Sequence, residues 1–187
     1  MNKTIISHES ILNASKEVVL ALGLPGLNIR DIAKRCNVSI GSIYNHFPTK
    51  SDLIIETIES LWKDIMHSFD SHKDNLNFID NVHSLYHSIL NGFGESPSFF
   101  MAHTMIVATL DKEKGRESMN KCLSQIKQKL LETLNADDEI KKDTFTSTFT
   151  MEDFIEFVFS NLITLLMKQS KSCDYLIEII RRVIYKE

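Results

Sequence analysis

Cysteine is sparse in this sequence and does not pair. Cys36, Cys122 and Cys173 are odd in number, widely spaced and without a CxxC motif. This argues against a disulfide frame and predicts reduced thiols in a cytoplasmic protein, each a small hydrophobe rather than a redox switch. Long apolar runs are also missing. The most apolar stretch, Phe157 to Met167, is broken by Ser160, Asn161 and Thr164 and falls short of the ~20 residues a membrane span requires. The N-terminus has no apolar run of the kind a signal peptide carries, so neither export nor a membrane partner is expected. No GxSxG, HExxH, GxxxxGK[ST] or GxGxxG motif occurs, so no enzyme activity, cofactor or metal is expected. Repeats and low-complexity segments are absent as well.

What is present is an ordinary globular composition, 43% hydrophobic and 25% charged over 187 residues. The net charge of −4 does not suggest a nucleic-acid partner, but its distribution does. Residues 1–50 hold six cations and three anions, leaving 15 and 22 for residues 51–187. The basic end coincides with the most informative stretch, residues 28–50, which reads as two short helices joined by a tight turn.

Asn28 is placed to cap the first of these helices, with Asp31 at the capping-box position. Ile29, Ile32, Ala33 and Cys36 share one face at helical spacing, while Arg30, Asp31, Lys34 and Arg35 stay wet. Asn37 stands where the chain must turn, and asparagine tolerates the left-handed conformation. Val38 plugs the corner. Ser39 caps the second helix and Pro48 ends it. Ile43 and Phe47 face inward, which leaves Gly41, Ser42, Tyr44, Asn45 and His46 pointing out. A short helix with such an outer face, flanked by cations, fits a DNA major groove. An ordinary surface hairpin of helices has the same outline.

Ile32-Ala33, Val38-Ser39, Gly41, Tyr44, His46-Phe47 and Lys50, with Gly26 upstream and Leu53 downstream, resemble the DNA-binding domain of the TetR family in order and spacing. The match covers residues 9 to 60. The resemblance implies an all-α homodimer that binds double-stranded operator DNA, with a C-terminal domain for a small-molecule effector. Two domains are expected: a three-helix helix-turn-helix DNA-binding domain in residues 1–48, and a larger helical effector-binding and dimerisation domain in residues 49–187. By resemblance Asn28, Arg30, Ser39, Ile40, Gly41, Ser42, Tyr44, Asn45, His46 and Lys50 are the DNA-binding residues. Many relatives carry lysine or another polar residue where Ile40 stands, so this chain departs from the pattern there.

Further along, periodicity predicts about nine helices in all. The first spans Glu9 to Leu22, with Ile11, Ala14, Val18 and Leu22 inward. Thr49, with Asp52 at the capping-box position, opens a long helix to Phe69. Others are expected over Asn75–Phe93, Ser98–Leu110 and Gly115–Leu134. Met151–Lys168 is apolar nearly all round, which requires burial on both sides. Asp174–Tyr185 carries Leu176, Ile179, Ile180, Val183 and Ile184 as one stripe. This last pair has surplus apolar surface and suggests a four-helix dimer seam through Phe157, Leu165, Leu176, Ile180 and Val183.

The effector site implied by the resemblance draws on Trp62, Phe99, Met101, His103, Met105, Phe154 and Val158, although core packing explains the same residues. His83 and His87 have the i, i+4 spacing of a shared metal, with Asp80 one turn before, but no third and fourth ligand can be named and a solvated flank is the alternative reading. Two functions fit the sequence. One is a ligand-released transcriptional repressor. The other is an effector-independent DNA-binding or protein-interaction module on the same fold.

Overall fold

A computed structural model describes residues 6–70, 77–92, 112–141 and 143–186. Among these residues the chain forms eight α-helices and no strand. They are α1 (His8–Leu22), α2 (Ile29–Arg35), α3 (Ile40–Tyr44), α4 (Lys50–Asp70), α5 (Phe78–Gly92), α6 (Lys112–Ala136), α7 (Met151–Met167) and α8 (Asp174–Ile184). The helix expected over Ser98–Leu110 lies outside the described residues. Helix boundaries group into two compact units. The first holds α1 to α3, α4 through Asp64 and the start of α6 through Asn120; the second holds Ile65–Gly92 and everything from Lys121. Most of α4 is thus grouped with the first three helices.

In the first unit, Ser7 starts α1 by accepting a hydrogen bond from the Ser10 amide at 3.1 Å. Gly23, at φ 72°, stops it in a backbone conformation that suits glycine. Gly26 closes the 3₁₀ turn Leu24–Gly26 where a Cβ would lie 2.6 Å from the Leu22 Cβ, so a side chain has no room. Ile11, Val19, Leu27, Ile32, Ile43, Phe47 and Leu53 are fully buried and form the core. Leu22 does not join them. It is 64% exposed at the end of α1, where the chain turns away.

The start of α4 is a complete capping box. Asp52 Oδ2 accepts from the Thr49 amide at 3.0 Å and from its hydroxyl at 2.8 Å, while the Asp52 amide donates to Thr49 Oγ1 at 3.1 Å. The Thr49 hydroxyl, helped by Lys114 at 3.5 Å, holds the Asp52 carboxyl below its ordinary range. A depressed carboxylate stabilises the fold above its unfolded value of about 3.9 and stops doing so as pH falls through the folded value. Asp52→Asn is therefore expected to lower the melting temperature near neutrality, with the gap to wild type closing below about pH 4. Thermal melts across pH 2.5–6 check this; a gap that stays constant in acid would show that the charge contributes nothing.

In the second unit, Phe78, Val82, Leu85, Tyr86 and Ile89 of α5 are buried together with Leu130 and Leu134 of α6, Phe154, Val158 and Leu162 of α7, and Leu176, Ile180 and Ile184 of α8. Thr150 and Asp153 form a second capping box at the start of α7. A polar latch ties the end of the chain to α5. Asp137 Oδ2 accepts from the Phe78 amide at 2.8 Å and from the Tyr185 hydroxyl, and the Lys141 amide donates to the Ile184 carbonyl at 2.8 Å. Burial and the neighbouring Asp137 raise the Tyr185 phenol well above its usual range, so it remains a donor. Tyr185→Phe removes a hydrogen bond to a charged, half-buried acceptor and is expected to cost about 1–3 kcal/mol in denaturant unfolding. A loss within error of zero would mean that the latch is replaced by water.

Candidate nucleic-acid interface

The exposed surface of the first unit is built around α2 and α3. Asn28 caps α2 by accepting from the Arg30 amide at 2.9 Å. The cap is one-sided: the Asp31 carboxylate takes no part in it and stays exposed, unlike the reciprocal box expected there. Asn37 makes the turn in the left-handed region at φ 53°. The Val38 amide then returns to the Ala33 carbonyl at 3.0 Å, and Val38 is half-buried at the corner.

Ser39 caps α3 by accepting from the Ser42 amide at 3.1 Å, and the two serine hydroxyls lie 2.9 Å apart. The helix proper covers Ile40–Tyr44, and its end is drawn out toward Pro48: Asn45 keeps helical backbone angles, its amide donating to the Gly41 carbonyl at 3.1 Å, and the Phe47 amide donates to the Ile43 carbonyl at 2.9 Å. Ile43 and Phe47 are fully buried and fix its inner face. The outer face presents Ile40 at 39% exposure and Tyr44 at 44%, with Gly41 and Asn45 also exposed. Above Gly41 a Cβ would meet only Ser39 Oγ at 3.7 Å, so this glycine keeps the surface low without being required by the fold.

His46, like Ser42, is less exposed than the outward place expected of it. It is half-buried, its ring 6.1 Å from that of His8 and 6.5 Å from that of Phe47. His8 stacks on Phe47 at 4.4 Å and pairs with Glu56 at 2.9 Å. It thus buttresses the end of α3 from α1, a role no local sequence signal announces. Arg30, Lys34, Arg35 and Lys50 are exposed and form no ion pair among the described residues, whereas Lys16 is engaged by Asp64 at 2.7 Å. Free cations beside an exposed helix of mixed polarity are the means by which a helix-turn-helix meets phosphates and base edges.

The other expected sites are brought together less completely. Trp62 is buried in the first unit. Phe154 and Val158 are buried in the second. Phe99, Met101, His103 and Met105 lie outside the described residues. Of the five residues expected at a dimer seam, Leu165, Leu176 and Ile180 are at most 3% exposed within a single chain. That removes them from any surface, since α8 turns Leu176, Ile180 and Ile184 onto the core of its own unit. Phe157 at 44% and Val183 at 40% remain outside, joined by Tyr175 at 55% and Ile179 at 41%. The single stripe read from the sequence is therefore two adjacent ones, an inner set at 176, 180 and 184 and an outer set at 175, 179 and 183.

A helix-turn-helix with this outer surface defines a DNA-binding regulator. The model for bacterial regulatory proteins of the tetR family matches residues 11–57. The chain is 32% identical over 139 residues to the nucleoid occlusion factor SlmA of Vibrio cholerae serotype O1, covering 71% of this chain and 69% of that protein. This chain belongs to the TetR family of transcriptional regulators. Among solved structures, its fold is similar to that of a transcriptional regulator from Rhodococcus sp. RHA1, with a TM-score of 0.75 at 19% identity over 96% of this chain and 98% of that one. A transcriptional regulator from Saccharomonospora viridis in complex with choline gives 0.71 at 17% identity, again over 96% and 98%. No helix among the described residues is long and apolar enough to cross a membrane.

Proposed function

We propose that this chain is a cytoplasmic, homodimeric repressor that holds a near-palindromic operator and is released from it by a small apolar or amphipathic effector. Residues 1–48, with Lys50 just beyond them, carry the DNA contacts, and residues 49–187 the effector and dimer functions. The observation that carries the DNA half is the exposed face of α3 beside four cations that form no ion pair among the described residues. Ile40, Gly41, Tyr44 and Asn45 meet base edges, Ser39, Ser42 and His46 border the groove, and Asn28, Arg30 and Lys50 hold the backbone. A dimer needs a covering for Phe157, Tyr175, Ile179 and Val183, and a symmetry-related copy supplies it.

The effector half is supported by the fold's likeness to a regulator solved with choline and by the continuity of α4 from Lys50 to Asp70. A ligand releases DNA only by preferring the DNA-incompetent state, and operator must then weaken ligand binding by the same factor. The similarity to a nucleoid occlusion factor favours a second reading, effector-independent DNA binding or protein interaction on the same fold. A thermal-shift screen of apolar and amphipathic small molecules, followed by titration of each hit with and without operator, separates the two. The repressor reading expects weaker ligand binding when operator is present. Equal affinity in both cases leaves the effector-independent reading. Footprinting with no symmetric protection on any candidate promoter would remove the DNA assignment itself.

A further inference from the structure

One side-chain arrangement in the second unit is used neither by its core nor by the DNA face. His83 and His87 project one turn apart from the outer side of α5. Their Nε2 atoms are 3.2 Å apart and their ring centroids 4.4 Å, so the two rings lean together at their Nε2 ends. Two imidazole nitrogens bound at ~2.0–2.1 Å to one metal ion, with tetrahedral or square angles, lie roughly 2.9–3.4 Å apart. The observed separation is that bite.

The arrangement is held in place from behind. Val82, Leu85, Tyr86 and Ile89 are buried and fix the helix on which the pair stands. The Tyr86 ring meets His87 edge-on at 5.7 Å, and its hydroxyl is tied to the Ser170 carbonyl at 2.6 Å. From α8, Asp174 Oδ1 comes to 3.9 Å from His83 Nε2, adding a carboxylate at a distance suited to a metal-bound water. The pair stands on the wall of a cleft of about 610 Å³ whose lining includes Asp80, Ser84, Ser88 and Asn91. The carboxylate, hydroxyl and amide groups of this lining tolerate a hydrated ion.

We propose that His83 and His87 chelate one first-row divalent metal ion of the imidazole-preferring kind, Cu(II) ahead of Zn(II), with water in the remaining positions and Asp174 in the outer shell. No third carboxylate, imidazole or thiol closes the set among the described residues, so the site is a two-ligand chelate and not a buried structural metal centre. It is independent of the DNA-binding reading and stands or falls on metal binding alone. Without a metal, the same 3.2 Å contact is a hydrogen bond between the two imidazoles.

The test uses the full chain, titrated with Cu(II) and separately with Zn(II) against a chromophoric competitor, alongside His83→Gln, His87→Gln and His8→Gln. One ion per chain is expected, bound more tightly than by two equivalents of free imidazole, because the second nitrogen is already in place. Either α5 variant is expected to lose about 10–100-fold in affinity with an unchanged helical spectrum, while His8→Gln binds as wild type. Electron paramagnetic resonance of the Cu(II) form should report two imidazole nitrogens, falling to one in each α5 variant. Equal affinity in wild type and both α5 variants, or binding no stronger than free imidazole gives, would overturn the proposal and leave the pair as a surface hydrogen bond.

Discussion

Ile179→Arg is expected to give a folded chain that no longer dimerises, and Ile180→Arg a chain that does not fold. The two positions are neighbours on α8, yet Ile179 is 41% exposed and Ile180 fully buried. Successive helical residues are rotated by ~100°, so the charge points outward in one variant and into the core in the other. An arginine at 180 leaves a guanidinium among Leu176, Ile184 and the core side of α7 with nothing to pair it, a cost of several kcal/mol, on the order of the whole stability of a domain this size. At 179 the unfavourable charge arises only when a second copy approaches. Sedimentation velocity and far-ultraviolet circular dichroism read the two outcomes. Operator binding should fall in Ile179→Arg by far more than the loss of one contact, since two half-sites are no longer held together. If Ile179→Arg sediments as a dimer, the seam does not run through Phe157, Tyr175, Ile179 and Val183.

That contrast marks where the sequence is legible and where it is not. The caps were readable because they are local: Ser39, Thr49 and the turn at Asn37 depend only on residues three or four apart. The boundaries of α7 and α8 were readable because their apolar patterns are long and end at turn residues. The partition of the α8 stripe was not, because Leu176, Ile179, Ile180 and Val183 are equally apolar and only the neighbours in space decide which two face inward. The short reach of α3 was hidden for a related reason. Pro48 forbids helix at its own boundary but does not say how much earlier the regular turn ends, and here the regular helix ends at Tyr44 with single helical bonds continuing to Phe47. His8 was invisible as a buttress, since its partners Phe47 and Glu56 are distant in sequence. The His83–His87 spacing was visible from the start, but the convergence of the two Nε2 atoms is a matter of rotamers, which spacing cannot give.

The recognition surface leads to the second large effect. Ser39 to Phe47 contains no arginine or lysine, so α3 has no side chain for a bidentate contact to guanine. Asn45 is exposed and can pair with the N6 and N7 edge of adenine, while the Ile40 side chain, 39% exposed, offers methyls to a thymine methyl. Operator positions facing α3 are therefore expected to favour A·T pairs, with any guanine contact coming from Arg30 on α2. Asn45→Ala should cost about 1–3 kcal/mol per half-site against the preferred sequence and little against random DNA, which flattens specificity. Lys50→Ala should act in the opposite way. Its charge sits at the start of α4, exposed and without an ion pair among the described residues, so it serves any sequence equally. Removing it from both subunits should weaken specific and non-specific binding together and reduce the slope of log K against log salt by about 0.9 per lost phosphate contact, roughly 1.8 per dimer. Binding assays at several salt concentrations with selected and scrambled operators separate the two variants. A selected consensus rich in G·C at the half-site centres, or a Lys50→Ala protein with an unchanged salt slope, would show that this surface meets DNA in another orientation.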